Sequence, residues 1–448
     1  MDEAVQDRGA ADDEVSTGRG AEQPGGTAGA APEVPRVRRE DVLAARELVD
    51  SVVRRTQLLH SRALSERVGG PVHLKCENLQ RAGSFKIRGA YVRIARLSEA
   101  ERALGVVAAS AGNHAQGVAL AARLLGIRAT VFMPEGAPIP KVQATRGYGA
   151  EVRFHGRNID DALVEARRFG EETGAVLIHP FDHPDIVAGQ GSVGLEVLEQ
   201  CPDVRTVLVC TGGGGLVAGV AAALEGRRNA EGRPIRVVGV QAEQAAAYPE
   251  SLRAGRPVAL PRMSTMADGI AVGRPGDVPF AVIRDLVDDV VTVSEEGLSR
   301  ALVLLLERSK LVVEPAGAAA VAALLDGVVE VETPAVAVLS GGNIDPLLLH
   351  RVLQHGLAAA GRYVTLQVTI PDKPGGLVRL LQDVAAADAN VVDVGHARTD
   401  PGLEIGQVQV RLEVETRGPE HRDHIVERLR AAGFGITAMA EPEPAARH

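Results

Sequence analysis

One pattern constrains the fold of this chain more than any other. Between residues 72 and 357, short apolar runs alternate with helical segments, and several runs end in a turn built from glycine, serine or asparagine. The runs at 72–75, 105–109, 129–133, 151–154, 175–178, 204–209, 235–240, 290–293 and 336–339 read as strands. Segments at 115–125, 142–148, 159–169, 193–198, 217–224, 298–306, 316–323 and 347–357 read as helices. An earlier helix has Val42, Ala45, Leu48, Val49 and Val52 at helical spacing, with Asp41 as its N-cap. Strands alternating with helices argue for a parallel α/β sheet covered on both faces. Aromatic residues make up only 2% of the chain, so its cores must be built from Ala, Val, Leu and Ile.

The two ends differ from this middle. Residues 1–36 are rich in Gly, Ala, Asp, Glu and Pro, and beyond Met1 their only large apolar residues are Val5, Val15 and Val34. Such a segment buries too little surface to offset its chain entropy and is expected to be a disordered tail. A break falls at Gly361. After it, Val364, Leu366, Val368 and Ile370 alternate onto one face of a strand, and the turn Asp372-Lys373-Pro374-Gly375-Gly376 opens a helix carrying Leu377, Leu380, Leu381 and Val384. Strands near 391–394 and 408–414, a turn at Asp400-Pro401-Gly402, a helix at 421–429 and a strand near Ile436 complete a βαββαβ order, which is ferredoxin-like. The expected domains are therefore the tail 1–36, a large α/β domain 37–361 and a small domain 362–448.

Composition excludes several function classes. The net charge of −9 argues against a nucleic-acid partner. No apolar run reaches the ~20 residues that cross a bilayer, so no membrane span is expected. The acidic N-terminus lacks the apolar core of a secretory signal. Three cysteines, Cys76, Cys201 and Cys210, form neither a CxxC pair nor a metal-ligand cluster, so no metal is expected. A reducing, cytoplasmic setting follows most simply.

Four stretches carry chemistry. In Gly83-Ser84-Phe85-Lys86-Ile87-Arg88-Gly89 a lysine sits among small and turn-forming residues. Burial lowers the proton affinity of such an amine, and a neutral amine attacks an aldehyde to form a Schiff base. Taken alone, the stretch reads more readily as a surface loop with two basic residues. The loop Gly212-Gly213-Gly214-Gly215-Leu216 lies between a strand and a helix, the geometry of an anion cradle. Gly213, Gly215 and Ala218 also match GxGxxA, but Gln241, with Glu243 beyond, stands where the acidic residue of a dinucleotide site belongs. Glycines that merely allow tight strand–helix packing remain a third reading. Ser110-Ala111-Gly112-Asn113-His114 follows a strand, where open α/β sheets bind ligands, and could hold a carboxylate or phenolate oxygen. His114 there reads more readily as a locally bonded structural residue than as a catalyst. Ser340-Gly341-Gly342 ends another strand, where its hydroxyl either meets a neutral ring nitrogen or serves a simple turn. One lysine, one phosphate cradle and two polar strand ends suit a phosphorylated aldehyde cofactor, pyridoxal 5'-phosphate.

With Lys75-Cys76-Glu77-Asn78-Leu79-Gln80, Phe181-Asp182, Gly189-Gln190-Gly191, Glu314-Pro315-Ala316-Gly317 and Ser340-Gly341-Gly342-Asn343 added, the chain from about 40 to 360 resembles the threonine dehydratase (threonine ammonia-lyase) family. Residues from Arg362 onward resemble an ACT domain, as in the medium-length form of that enzyme. The resemblance implies a fold-type II pyridoxal-phosphate architecture, tryptophan synthase beta-like, with a smaller α/β subdomain at about 85–185 inserted in a larger one. It implies that Lys86 holds the cofactor as a Schiff base, Phe85 lies against the ring and Asn113 bonds the ring 3-hydroxyl. It also implies that Gly212, Gly213, Gly214, Gly215 and Leu216 bind the phosphate, that Ser340 meets the pyridine nitrogen, and that Glu314 belongs to the cofactor site. Ser84, Ser110, Ala111, Gly112, Asn113 and His114 would bind the substrate, with Ser110 beside Lys86 as a catalytic residue. Two positions depart from the family pattern: Thr56-Gln57-Leu58 replaces Thr-Pro-Leu, and Ser192 replaces a threonine after Gly189-Gln190-Gly191.

The implied reaction is α,β-elimination of threonine to 2-oxobutyrate and ammonia, and of serine to pyruvate, in either a catabolic role or isoleucine biosynthesis. Serine racemases and β-replacing enzymes share the motifs, and a non-catalytic ligand sensor is the reading of another class. Racemases carry a serine hydroxyl opposite the lysine, at the position matching Ala111, and a metal-binding glutamate where Gln241 stands. In ACT domains the turn matching Asp372, Lys373, Pro374, Gly375, Gly376 and Leu377 binds an amino-acid effector between paired domains. That implies a homo-oligomer, and isoleucine or valine as effector.

Overall fold

The computed structural model describes residues 34–359, 362–398 and 403–440. All but the last three residues of the expected tail, the break at Gly361 and the turn at Asp400-Pro401-Gly402 lie outside the described residues.

Three sheets organise the chain. The largest has six strands in the order β1-β2-β10-β7-β8-β9: β1 Leu58–His60, β2 Val72–Lys75, β7 Thr206–Cys210, β8 Arg236–Ala242, β9 Asp289–Val293 and β10 Ala335–Val338. All neighbours are parallel except β1 with β2. Its central strands β7 and β10 are buried at every position, the reason they read as unbroken apolar runs rather than as an alternation. The second sheet, β5-β4-β3-β6, is wholly parallel: β3 Val106–Ala109, β4 Ala129–Met133, β5 Glu151–Phe154 and β6 Val176–Leu177. It stands within the expected bounds of the inserted subdomain.

Helices cover both faces. Two of them, Gly215–Leu224 and Pro315–Asp326, are made almost entirely of Ala, Val, Leu and Gly and are buried nearly all round. A helix apolar on every side has no solvent face to present, so it belongs inside a large core. Small side chains let such helices lie close to the sheet, which is how a chain with few aromatics reaches interior packing density.

The third sheet is antiparallel, in the order β12-β13-β11-β14: β11 Tyr363–Pro371, β12 Val391–Ala397, β13 Gln407–Glu415 and β14 Gly435–Ala440. Val364, Leu366, Val368 and Ile370 are buried as their alternation requires, against Leu380 and Val384 of the helix Gly376–Ala385 and Ile425 and Leu429 of the helix Pro419–Ala431. The βαββαβ order is the one read from the sequence. The turn Asp372–Gly375 is exposed, and Gly375, at φ +89°, caps the first of these helices.

Candidate active site

The parallel strands of the first two sheets end around one cavity of about 510 Å³. Its wall takes Ser110, Ala111, Gly112, Asn113 and His114 from the end of β3, Gly212–Leu216 from the end of β7 and Ser340 from the end of β10. Phe85, Lys86 and Glu314 complete the set. Residues spread over more than 250 positions thus meet where an open α/β sheet places its ligand. Ser84 is the member that the fold does not bring to the wall. It is fully buried, bridges Gly341 through its backbone, and its hydroxyl has no partner among the described residues.

The chain has five lysines, at 75, 86, 141, 310 and 373. Lys310 and Lys373 are exposed, while Lys75 and Lys141 are ion-paired to Glu196 and Asp268, each at 2.5 Å. Lys86 is different. It opens the helix Lys86–Ala95, and its Nζ donates to the Pro180 carbonyl at 3.0 Å and lies 5.2 Å from the centre of the Phe85 ring. Burial pulls its pKa down to about 8, against smaller upward pulls from Cys210 and Glu314. The amine is thus poised to lose its proton near neutral pH, the condition for a nucleophile.

The other groups are fixed just as simply. The Ser110 hydroxyl accepts from the Gly112 N–H at 3.1 Å, which leaves its own proton free for a ligand. The helix Asn113–Leu124 starts beside it, with first-turn N–H groups that no carbonyl of the helix can reach. Gly214, at φ +100°, caps the helix Gly215–Leu224, and a Cβ there would lie 2.0 Å from the Tyr248 hydroxyl oxygen. Tyr248 itself donates to the Gly213 carbonyl at 3.1 Å, so the cradle is held from behind, while the Phe181 ring lies against Gly213. Gln241, the residue that spoils the dinucleotide reading, accepts from the Tyr248 N–H at 2.9 Å and is buried. Its place is structural.

Two histidines and a carboxyl complete the electrostatics. His114 donates from Nε2 to the Ile178 carbonyl at 2.7 Å, and burial, with Lys86 nearby, takes its pKa down to about 3. That bond holds its ring in place. Burial likewise takes His179 down to about 4. Glu314 goes the other way: burial and the charge of Asp268 raise it to about 7, although Lys141, the Asn113 amide and Lys86 all favour its ionised form.

The sequence reading missed the network behind the lysine. Arg88, two residues after Lys86, is fully buried and not part of a surface loop. Its Nε and Nη2 donate to the two Glu77 oxygens, each at 2.8 Å, and Nη1 donates to Glu196 at 2.7 Å and to Ser192 at 3.0 Å. Lys75 pairs with the other Glu196 oxygen, and Thr56 donates to Glu77 at 2.6 Å. Two cations and two carboxylates therefore balance inside the core, as buried charges must. One family departure sits here, since Ser192 supplies the oxygen that Arg88 needs; the other, Gln57, is the neighbour of Thr56, which keeps its hydroxyl on Glu77.

An amine nucleophile, a cradle of backbone N–H groups and separate polar anchors define an aldehyde-cofactor enzyme. The chain belongs to the family of pyridoxal-phosphate dependent enzymes, whose profile matches residues 49–341. It is 50% identical over 389 residues, covering 86% of this chain and 96% of the relative, to the L-threonine ammonia-lyase of Geobacter sulfurreducens. The solved structure of the processed form of threonine deaminase isoform 2 from Solanum lycopersicum matches with a TM-score of 0.66 at 37% identity, covering 70% of this chain and 90% of that one. Maize serine racemase matches with a TM-score of 0.67 at 36% identity, covering 72% and 99%. The cavity fits the cofactor: its volume lies within the ~300–1,000 Å³ of small-molecule sites, and Gly212–Gly215 bring no side chain of their own into the cradle.

Proposed function

We propose that this chain is a threonine ammonia-lyase, converting L-threonine to 2-oxobutyrate and ammonia, and L-serine to pyruvate. The observation that carries the reading is Lys86: of five lysines it is the one at the cavity wall with no carboxylate partner among the described residues. Bound there, pyridoxal phosphate supplies an electron sink that makes the α-proton of an amino acid acidic. The amine of Lys86 would hold the cofactor at rest and, when free, would take the α-proton of the substrate. The backbone of Gly212–Gly215 would anchor the phosphate, and Asn113 would donate to the ring oxygen. Ser340, at the cavity wall, would offer the ring nitrogen a neutral hydroxyl that does not protonate it. The Ser110 hydroxyl and the N–H groups that open the helix Asn113–Leu124 take the substrate carboxylate.

Racemisation is the neighbouring chemistry, and it needs a proton donor on each face of the α-carbon. Ala111 lines the cavity with a methyl group, which carries no proton. The reading therefore favours elimination. Residues 362–448 form the regulatory part, with the stretch Asp372–Leu377 as the amino-acid effector site of a homo-oligomer in the cytoplasm. Turnover of L-threonine by the holoenzyme, read as equal yields of 2-oxobutyrate and ammonia, tests the activity. Appreciable D-serine from L-serine, or no keto acid from either substrate, would overturn it.

A further inference from the structure

Asn343 follows the Ser340-Gly341-Gly342 turn and does not line the cavity wall. Its side chain nevertheless touches two of the elements that do. Nδ2 donates to the Ala82 carbonyl at 2.8 Å and to Asn113 Oδ1 at 2.8 Å. Ala82 lies in the turn that leads to Lys86, and a carbonyl can only accept, so the Ala82 contact decides which end of Asn343 is the amide nitrogen. The atom of Asn113 that faces it must then be the oxygen. Asn113 Nδ2 points the other way and donates one hydrogen to Glu314 Oε1 at 2.5 Å. Its second N–H is what Asn113 has left for a ligand in the cavity.

The orientation of Asn113 is thus set from outside. Asn343 cannot shift to release it, because the turns on both sides are joined: Gly342 N–H donates to the Gly83 carbonyl at 2.9 Å and Phe85 N–H to the Ser340 carbonyl at 3.1 Å. Gly83, at φ +69°, lies so close that a Cβ there would sit 2.2 Å from Asn343 Oδ1. We propose that Asn343 is a positioning residue: it holds the Asn113 amide so that an N–H, not a carbonyl oxygen, faces the ring oxygen of the cofactor. This rests on the reading of Asn113 given above. Its consequence is electronic, since an N–H stabilises an anionic ring oxygen and a carbonyl repels it.

The test is a double-mutant cycle on the full-length protein, read by the visible absorbance of the holoenzyme across pH and by the Kd for pyridoxal phosphate. Asn343→Asp keeps the shape but places an acceptor against Asn113 Oδ1, which forces the amide to turn. Expected results are a shift from the longer-wavelength to the shorter-wavelength cofactor band and roughly ten- to a hundredfold weaker binding, the loss of one charge-assisted hydrogen bond. Asn113→Ala should do the same, and the Asn343→Asp/Asn113→Ala pair should match Asn113→Ala alone. Additive effects, or an unchanged spectrum in Asn343→Asp, would overturn the role of Asn343. An unchanged spectrum in Asn113→Ala would overturn the underlying reading of Asn113 instead, and the proposal with it. Should Asn343→Asp not fold, Asn343→Ser removes a donor without adding charge and runs the same cycle.

Discussion

Arg88→Ala should cost about 3–5 kcal/mol of folding stability, the size expected when one partner of a buried ion pair is removed. The loss falls mainly on Glu77. Arg88 supplies both charged donors to its oxygens, at 2.8 Å each, and without it the buried carboxylate keeps only the Thr56 hydroxyl. Glu196 suffers less, because Lys75 still holds its second oxygen. The pH dependence identifies the cause. In the native protein burial pushes the Glu77 carboxyl up, but the charge and donors of Arg88 more than offset this, and its pKa lies below the usual range. A depressed carboxyl contributes stability above its unfolded pKa of ~4.3 and loses it as pH falls through the folded value. In the variant, burial is opposed only by the charge of Lys75 and the Thr56 hydroxyl, and the pKa is expected to rise above the unfolded value, so Glu77 opposes folding increasingly as pH rises. The gap between native and variant protein should therefore be widest at pH 7–8 and should narrow toward pH 5. Urea unfolding of the cofactor-free proteins at a series of pH values measures it without the contribution of ligand binding. A loss under about 1 kcal/mol, or one that is flat with pH, would refute the reasoning.

Other consequences follow from the same site. Cofactor-free protein should take up pyridoxal phosphate faster as pH rises, about tenfold per unit below pH 8 and levelling above it, because only the neutral Lys86 amine attacks and its pKa lies at about 8; stopped-flow absorbance reads this. Ala111→Ser should gain measurable D-serine formation from L-serine while keeping elimination, as chiral chromatography of the products would show. Removal of residues 362–448 should leave cofactor binding intact and abolish any response of the threonine saturation curve to isoleucine or valine; a truncated enzyme that keeps the full response would place the effector site elsewhere.

What the sequence made legible was local. The all-apolar run at 106–109 reads as a buried strand because both its faces are covered, and the polar pentapeptide after it reads as a ligand loop because strand ends open there. The strict alternation at 364–370 likewise reveals a half-buried strand with no knowledge of its partners. Arg88 was not legible in this way. Nothing within a few residues announces that it is buried, because Glu196 lies 108 positions away and Ser192 104. Spacing along the chain reports which face a residue occupies, whereas a buried charge is decided by partners that only the fold assembles. Asn343 and Asn113, 230 positions apart, escaped for the same reason. Asn343 was visible as part of a motif, but its function depends on a second amide whose orientation it sets. The Lys141–Asp268 pair, which joins the helix Ile139–Gly147 to the short turn Asp268–Ile270 at the cavity, has no sequence signature either.

The central claim is that Lys86 carries the cofactor, and borohydride reduction of the holoenzyme followed by peptide mass analysis tests it most directly. Reduction turns the link between amine and aldehyde into a stable secondary amine, and trypsin does not cut at a lysine so modified. The predicted result is a pyridoxyl-phosphate mass on the peptide spanning residues 82–88, between cuts at Arg81 and Arg88, with visible absorbance and threonine turnover lost together. A label on a peptide containing Lys75 or Lys141 instead, or full turnover after Lys86→Ala, would contradict it.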